Sequence, residues 1–155
     1  MHIEYHCYDT PVLCGLGREL LPYASFHENA DDVFKRQYEL VLASSSIQYF
    51  ENWPEILRKL AAATRGYLYV TRVPTVHRAP SFVVVQRPHQ FGYKTEYLGW
   101  FLNRREFLDR AGNMGLDLAQ DNACEEFEIL ARGKSGSLQR FGSSSSSSCQ
   151  LHALI

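Results

Sequence analysis

Strand-like and helix-like segments alternate over the first half of the sequence, and this alternation constrains the fold more than any other feature. Short β-prone runs lie at residues 3–8, 23–28, 38–44 and 67–74, with helix-like runs between them. The clearest strand, "YELVLAS" (38–44), is apolar in the way that buried strands of parallel sheets are. Strand–helix–strand units imply right-handed crossovers between parallel strands. The sequence therefore predicts an α/β protein with a mostly parallel sheet and helices on both faces.

Helix boundaries are indicated by proline, asparagine and glycine. Pro11 suits the first turn of a helix that continues through "VLCGLGRELL". Asn52 predicts the start of a helix over about 53–64, and Gly66 predicts its end. A further helix is predicted over 103–115. The residues expected to face the core from the last two helices are Ile56, Leu57, Leu60, Ala61, Phe107, Leu108 and Ala111.

The second half of the sequence has fewer helices. "SFVVVQR" (81–87) follows a strand directly, so we predict an insert or one arm of a hairpin. Residues 116–130 read as a long alternating strand and 149–155 as a final strand. We predict that these two segments pair antiparallel, joined by a mobile Gly/Ser-rich loop over 133–148. The 155 residues suit a single domain.

Composition narrows the functional classes. The apolar fraction of 45% favours a packed globule. A formal net charge of −1, with Lys and Arg scattered, argues against nucleic acid as a partner. The four cysteines form no CxxC pair, and no segment has the length and apolar character of a secretory signal or a membrane span. We therefore expect a cytoplasmic protein with reduced thiols and no membrane association.

Polar residues follow two of the predicted strands. Asp9 follows the first strand, and Ser44–Ser46 follow "ELVLA". Carboxyl ends of parallel strands share one rim of the sheet, so we expect both groups to open on one cleft. A carboxylate there can accept both hydroxyls of a ribose, and short serine side chains admit a ligand close to the backbone. The alternative is that these residues only cap and turn the chain.

Several longer segments resemble a known family. "ELVLASSSIQYFENWPEILRKLA", "YLYVTRVPT", "VVVQRP" and "YLGWFLNRREFLD" resemble a family of proteins assigned as bacterial methyltransferases associated with surface-glycan gene clusters. The order of elements is similar to that of the class I S-adenosylmethionine-dependent methyltransferases, which have a Rossmann-like fold closed by an antiparallel C-terminal hairpin. The resemblance spans roughly residues 3–130 plus the last strand. It implies S-adenosylmethionine as cofactor and a small or glycan-linked hydroxyl as methyl acceptor.

The resemblance also implies roles for individual residues. Asp9 would hold the ribose, His27 and Glu28 would lie near the adenine, and Ser44–Ser46 would line the methionine side of the cofactor. His77 would serve as general base for the acceptor hydroxyl. The remaining residues implied on the acceptor side are Arg72, Thr75, Gln86, Tyr97 and Trp100.

One departure from the family concerns the start of the fold. The family begins with a strand and a Gly-rich turn, whereas this sequence begins at the equivalent of the second strand, so we expect the first strand and helix to be lacking. Gly15 and Gly17 lie within a helical pattern after Asp9, which predicts packing or a kink. We therefore expect weak cofactor binding by this chain and an uncovered sheet edge that allows a homodimer. The rival hypothesis is a non-catalytic remnant or interaction module.

Three other candidate sites occur in the sequence. His2, Glu4 and His6 alternate along a strand but lack companion ligands, so no metal is predicted. The serines lack the G-x-S-x-G context of a hydrolase nucleophile. An aromatic group suits either a sugar-stacking surface or a core or lid, and both interpretations stay open. Its members are Phe91, Tyr93, Tyr97, Trp100 and Phe101.

Overall fold

A computed structural model describes residues 2–122, 127–132 and 150–154 of the chain. The predicted loop over 133–148 and Cys124 lie outside these residues. The strands are β1 His2–Tyr8, β2 Ser25–His27, β3 Tyr38–Ser44, β4 Thr64–Thr71, β5 Thr75–Val76, β6 Phe82–Gln86, β7 Tyr97–Asn103, β8 Leu116–Asn122, β9 Phe127–Arg132 and β10 Gln150–Leu154. The helices are α1 Pro11–Leu20, α2 Ala30–Phe34, α3 Trp53–Ala63 and α4 Arg104–Asn113.

Seven strands form the main sheet, in the order β2-β1-β10-β3-β4-β9-β8. The first five are parallel, and β9 runs antiparallel to both of its neighbours. The predicted mostly parallel α/β sheet with an antiparallel hairpin is therefore confirmed. The hairpin consists of β8 and β9, however, where the sequence predicted a single strand over 116–130.

The predicted partner of the last strand was wrong. β10 pairs parallel with β1 on one side and with β3 on the other, so that Ala153 lies between Tyr5 and Leu40. In the Rossmann order 3-2-1-4-5, this is the place of strand 1. A strand from the far end of the sequence thus occupies the central position of the sheet. Its apolar run "LHAL" suits a strand with neighbours on both sides.

Helices lie on both faces of the sheet, as predicted. Side chains alternate along a strand, so Phe26 faces away from His27. A Cβ on Gly17 of α1 would overlap the ring of Phe26, which places α1 on the Phe26 face and supports the packing interpretation of this glycine. On the opposite face, the Tyr38 hydroxyl donates to the Val33 carbonyl of α2 at 3.2 Å.

The hydrophobic core lies between the sheet and helices α2, α3 and α4. Its fully or nearly buried members include Val33, Tyr38, Val41, Ile47, Trp53, Leu57, Leu60, Leu68, Leu102, Phe107 and Leu116. Helix α1 contributes little to this core. Of its side chains only Cys14 is buried, and the four apolar residues at helical spacing are exposed: Val12, Leu13, Leu16 and Leu20.

Helix starts follow the predicted signals, but one predicted end is wrong. The side chain of Asn52 accepts a hydrogen bond from the Glu55 N–H and caps α3. Gly66 does not end this helix, because α3 stops at Ala63 and Thr64 begins β4 directly. Gly66 lies inside β4, where a Cβ would come within 2.5 Å of a β3 backbone oxygen. Glycine there permits the close approach of the two strands.

A second, three-stranded sheet has the order β5-β7-β6. The predicted hairpin arm is β6, which pairs antiparallel with β7. β7 was not predicted, because its aromatic residues fit a sugar-stacking surface as well as a core or a lid. Phe82 and Phe101 stack across this pair with ring centroids 5.5 Å apart. The small sheet contacts the main body through the 3₁₀ turn Ile47–Tyr49.

The central position of β10 can be tested by replacing Ala153. Proline cannot donate to the ladder of a central strand and leaves a buried acceptor unpaired, so Ala153→Pro should lower the free energy of unfolding by about 1–3 kcal/mol, in addition to the cost of any steric clash. Ala153→Gly keeps the N–H and should cost only about 1 kcal/mol. Urea unfolding followed by circular dichroism measures both. Equal effects of the two substitutions would show that β10 is not a central strand.

Candidate functional site

A cavity of about 570 Å³ opens where β1 and β3 extend beyond β10. The pairing of β10 ends at His6 on one side and at Val41 on the other. The next residues along these two strands, Cys7–Tyr8 and 42–44, line the cavity from opposite sides. The strand order reverses at this point, and such crevices at carboxyl strand ends are where open α/β sheets bind ligands. The ends of β1 and β3 beyond the residues that pair with β10 therefore form two walls of the site.

The walls of the cavity come from both strands and from helices α2 and α3. The residues that line it, apart from those of β1 and β3 just described, are Asp9, Thr10, Pro11, Glu28, Ala30, Phe34, Ser46, Phe50, Ile56, Lys59 and Leu60. Most of them are apolar, with a small set of charged and hydroxyl side chains. Its volume lies within the roughly 300–1,000 Å³ of small-molecule sites.

The sequence predicted that Asp9 and Ser44–Ser46 open on one cleft, and all of them except Ser45 line the cavity. Asp9, Glu28, Ser44 and Ser46 line the same cavity, whereas Ser45 does not. The Asp9 carboxylate accepts from the Thr10 N–H at 2.7 Å, which fixes the turn after β1. Asp9 and the serines were predicted from their places at strand ends and Glu28 from the resemblance, and the structure brings them together because these strand ends share one rim.

Arg18 of α1 holds Glu28 in place. Its guanidinium donates to the Glu28 carboxylate at 2.8 Å and to the Phe26 carbonyl at 3.0 Å. Both charged side chains are more than two-fifths exposed, so the ion pair adds little stability. Its effect is to orient Glu28 at the edge of the cavity.

His27 does not line the cavity but joins a partly buried hydrogen-bond network with His6 and Glu4. Its Nε2 lies 2.9 Å from Nδ1 of His6, and Nε2 of His6 lies 3.1 Å from the Glu4 carboxylate. A carboxylate only accepts, so in the neutral pair His6 donates to Glu4 and accepts from His27. Burial, followed by the charge of His6, lowers the pKa of His27 below 6.5. The neutral form of His27 is therefore favoured in the folded chain.

Ser45 and Arg72 form a second structured part of the rim. They follow neighbouring strands β3 and β4 and have positive φ angles of 50° and 58°. The side chain of Gln48, which is 2% exposed, donates to the Ser45 hydroxyl and to the Arg72 carbonyl, each at 3.3 Å. Left-handed conformations are unfavourable for residues other than glycine, so a buried amide that bonds to both stabilises them.

The residues predicted for the acceptor side lie apart from the cavity. Thr75 and His77 are exposed beside β5, and Gln86 is the strand partner of Tyr97 across β6 and β7. The Tyr97 ring meets Tyr49 of the 3₁₀ turn at 5.5 Å. Of the six residues predicted for this side, none lines the cavity.

The aromatic group divides between the two interpretations. Trp100 is partly buried and packs against the core, and Phe101 stacks on Phe82. Tyr93 is 63% exposed, and Tyr97 is at the boundary with solvent. The side chain of Phe91 lies outside the described residues. Part of the group is thus core, and part remains available as a surface.

Sequence reasoning missed Gln48, Phe34 and Lys59. Gln48 lies in the segment "SSSIQY" but gave no local signal for burial. Lys59 lies beside the apolar stripe of α3, between Ile56 and Leu60 in the cavity wall. A lysine next to an inward stripe is a weak signal, because long side chains often cover apolar surface at such positions.

Metal sites and membrane-spanning helices would also bear on function. In residues 2–122 and the two later described segments, no group of three or more His, Cys, Asp or Glu side chains is arranged to hold a metal ion. Glu4 and His6 instead share a hydrogen bond. Within the same part of the chain, no helix has the length and apolar character needed to cross a membrane.

Comparison with solved structures identifies the fold. No family model and no curated protein matches the chain. Magnesium protoporphyrin IX methyltransferase from Synechocystis, with bound SAH, matches at a TM-score of 0.55 and 14% identity, over 84% of this chain and 64% of that one. The sugar N-methyltransferase KedS8 from Streptoalloteichus matches at 0.59 and 12%, over 82% and 70%. DesVI from Streptomyces venezuelae matches at 0.58 and 14%, over 83% and 74%.

These matches show the Rossmann-like fold of class I S-adenosylmethionine-dependent methyltransferases. At such low identity they show the fold alone. The chain spans only 60–64% of the length of three of the matched structures, two of the Synechocystis methyltransferase and one of an N1-methyltransferase from Burkholderia thailandensis. Activity, cofactor and acceptor are therefore matters for proposal.

The role of Gln48 can be tested with a double-mutant cycle. Gln48→Met removes both hydrogen bonds at similar volume and should lower the free energy of unfolding by about 1–3 kcal/mol. Arg72→Gly removes the cost of a positive φ but keeps the carbonyl that accepts from Gln48, so the same Gln48→Met change should cost at least as much in that background. Gln37→Met, at an exposed position, is the control and should be neutral. A Gln48→Met change as neutral as the control, or one that costs clearly less with glycine at position 72, would contradict the assignment.

The lowered pKa of His27 predicts a pH dependence of stability. In the unfolded chain His27 binds a proton near pH 6.5, and in the folded chain only at lower pH. The contribution of neutral His27 to the free energy of unfolding is therefore full above pH 6.5 and falls as the pH drops toward the pKa of His27 in the folded chain. His27→Gln should flatten this part of the profile. His77→Gln, at an exposed position, should not. Urea unfolding at pH 8.0, 6.5 and 5.5 measures the slopes, and equal slopes for wild type and His27→Gln would refute the prediction.

Proposed function

We propose that this chain is a methyltransferase domain that binds S-adenosylmethionine and transfers its methyl group to a small or glycan-linked acceptor. The observation that carries the proposal is the cavity at the reversal of strand order, where Asp9, Glu28, Ser44 and Ser46 meet. The fold of known methyltransferases supports it.

The residues of the cavity fit such a cofactor chemically. Asp9 suits the two ribose hydroxyls because a carboxylate accepts both. Glu28 and the apolar wall from Ala30 and Phe34 suit the adenine. Ser44 and Ser46 would line the methionine side. In this proposal His27 acts indirectly, because it ends β2 and directly precedes Glu28.

S-adenosylmethionine supplies an electrophilic methyl group when bound. The chain would hold the methyl group and the acceptor in position and exclude water from between them. Positioning accounts for much of the rate enhancement when the reacting atoms are held about 3 Å apart. Ser45, held by Gln48, would form the boundary between the cofactor and the acceptor. His77 is proposed as the base that takes the proton of an acceptor hydroxyl.

The acceptor is proposed to approach along the small sheet. Tyr49 and Tyr97 form an aromatic pair beside the rim, and Gln86 lies next to them. Gly99 has no side chain and so leaves room for those of Gln86 and Tyr49. Arg72, Thr75 and Trp100 belong to the same side of the molecule in this proposal. Exposed aromatic faces suit sugar rings, and one matched structure is a sugar N-methyltransferase. A cytoplasmic location and a homodimer remain part of the proposal, although β10 occupies the position whose absence was predicted to uncover an edge.

A second candidate is a non-catalytic interaction module. One observation favours it: β10 takes the place that a strand with a Gly-rich turn would have, and none of the described residues that line the cavity is a glycine. Backbone N–H groups for the amino-acid end of the cofactor would then be fewer. The two candidates differ in whether the cavity binds the cofactor.

Titration of S-adenosylmethionine into the ¹⁵N-labelled chain distinguishes them by NMR. We expect one-site binding with a dissociation constant on the order of 0.1–1 mM, because none of the described lining residues is a glycine and fewer backbone N–H groups can reach the amino-acid end of the cofactor. Amide shifts should concentrate at residues 7–10, 28 and 44–46. Asp9→Asn should weaken binding about tenfold, whereas Asp32→Asn, exposed on α2 and outside the cavity wall, should not.

The absence of shifts at several millimolar ligand would reject the methyltransferase proposal and favour the interaction module. Shifts confined to other surfaces would do the same.

A further inference from the structure

The two faces of the main sheet are covered very differently. On the core face, against α2, α3 and α4, Val41 and Leu68 are fully buried. Their neighbours along the same strands point to the opposite face. Among the described residues, α1 is the only helix on that face, and the apolar side chains there are exposed or only partly buried. They are Ile3, Tyr5, Leu40, Leu42 and Tyr67.

The apolar side of α1 is directed toward the centre of this open face. Successive residues of a helix are about 100° apart, so its four apolar residues form one stripe about 100° wide. They are Val12, Leu13, Leu16 and Leu20. Arg18 lies roughly 120–160° from each of them and bonds to Glu28 and to the Phe26 carbonyl, at the β2 edge of the sheet. The stripe therefore lies on the other flank of α1, toward β10 and β3.

The stripe and the sheet residues beside it form one apolar area, which we call the α1 surface. Its most exposed residues, 49–78% accessible to solvent, are Ile3, Val12, Leu13, Leu16, Leu20 and Tyr23, which lies just after α1. At roughly 100 Å² for each, and with the partly buried sheet residues, the α1 surface presents on the order of 800 Å². That exceeds the largest apolar patch of a typical monomer, about 300–600 Å², and equals what each partner buries in a stable interface, about 800 Å².

The geometry of the chain favours a second copy as the partner. The strands β1, β10, β3 and β4 span about 14 Å, so this part of the sheet has room for a helix about 10 Å across beside α1. A second copy brings such a helix, its own α1, with an apolar stripe that its own sheet does not bury. Residues 133–149 of the same chain are rich in glycine and serine and supply few apolar side chains for this surface.

We propose that two copies of the chain pair through their α1 surfaces, so that α1 of each copy lies over β10 and β3 of the other. Such an interface is isologous, because each copy supplies one helix stripe and one open area of sheet. The two helices would lie side by side in one layer between the two sheets. Leu16, the stripe residue nearest the middle of α1, would then lie close to the two-fold axis. The inference assigns a surface to the proposed homodimer and does not depend on methyl transfer.

Sedimentation velocity of the full chain tests the interface. Wild type should be a dimer at micromolar concentration. Leu16→Glu places two carboxylates near the two-fold axis in an apolar contact, and it should weaken dimerisation at least about 100-fold. Leu98→Glu is the matched control, because Leu98 is 62% exposed on β7 and lies outside the α1 surface. This control should leave the dimer intact.

Two further measurements separate loss of the interface from loss of the fold. Leu16 is 52% exposed in the single chain, so the Leu16→Glu monomer should keep the circular dichroism spectrum of wild type. Leu16→Cys, treated with a short bismaleimide linker, should give far more cross-linked dimer than Leu98→Cys, since the other cysteines are the same in both variants.

Three outcomes would overturn this interface: a monomeric wild type, equal effects of the two glutamate variants, or equal cross-linking of the two cysteine variants. None of them bears on the titration with S-adenosylmethionine, so cofactor binding is accepted or rejected on its own test.

Discussion

The pairing of β10 between β1 and β3 is the interaction on which the rest of the structure depends. A parallel sheet with an empty central position would leave two rows of backbone N–H and C=O groups without partners, which is unfavourable wherever they are buried. β10 joins the two halves of the sheet, and β1 and β3 each continue past the last residues that pair with it. The cavity lies between these two strand ends. Its lining is then decided by the residues at each of these ends.

The rim of this cavity is held by three consecutive residues with three different tasks. Ile47 is buried in the core, Gln48 bonds to both left-handed residues at the strand ends, and Tyr49 packs on the small sheet. One short 3₁₀ turn thereby connects the main sheet, the strained rim and the sheet proposed to receive the acceptor. A displacement of this turn would move residues at all three places. The two hydrogen bonds of the Gln48 amide therefore affect the positions of more residues than the two to which they are made.

The sequence predicted most of the fold through local periodicity and the chemistry of boundaries. The apolar run of β3, the asparagine cap of α3 and the polar residues after β1 and β3 each indicated their structure directly. The partner of β10 could not be predicted in this way, because an apolar strand fits any open position and its neighbour is chosen by the whole sheet. Gln48 and Lys59 were missed for a related reason. Their roles depend on residues far away in sequence, and neither lies in a recognisable motif.

The central strand also determines when the site can form. β1 and β10 join residues 2–6 to residues 150–154, which is nearly the full length of the sequence. Contacts between such distant segments form late, because a long loop must close before they yield any stabilisation. During synthesis, β1–β2 and β3–β4 are made well before β10, and the ladder that joins them is completed only when residues 150–154 emerge. Until then the strands that line the cavity are not held at their final spacing, so a nascent chain lacks the finished pocket in which to capture a small molecule.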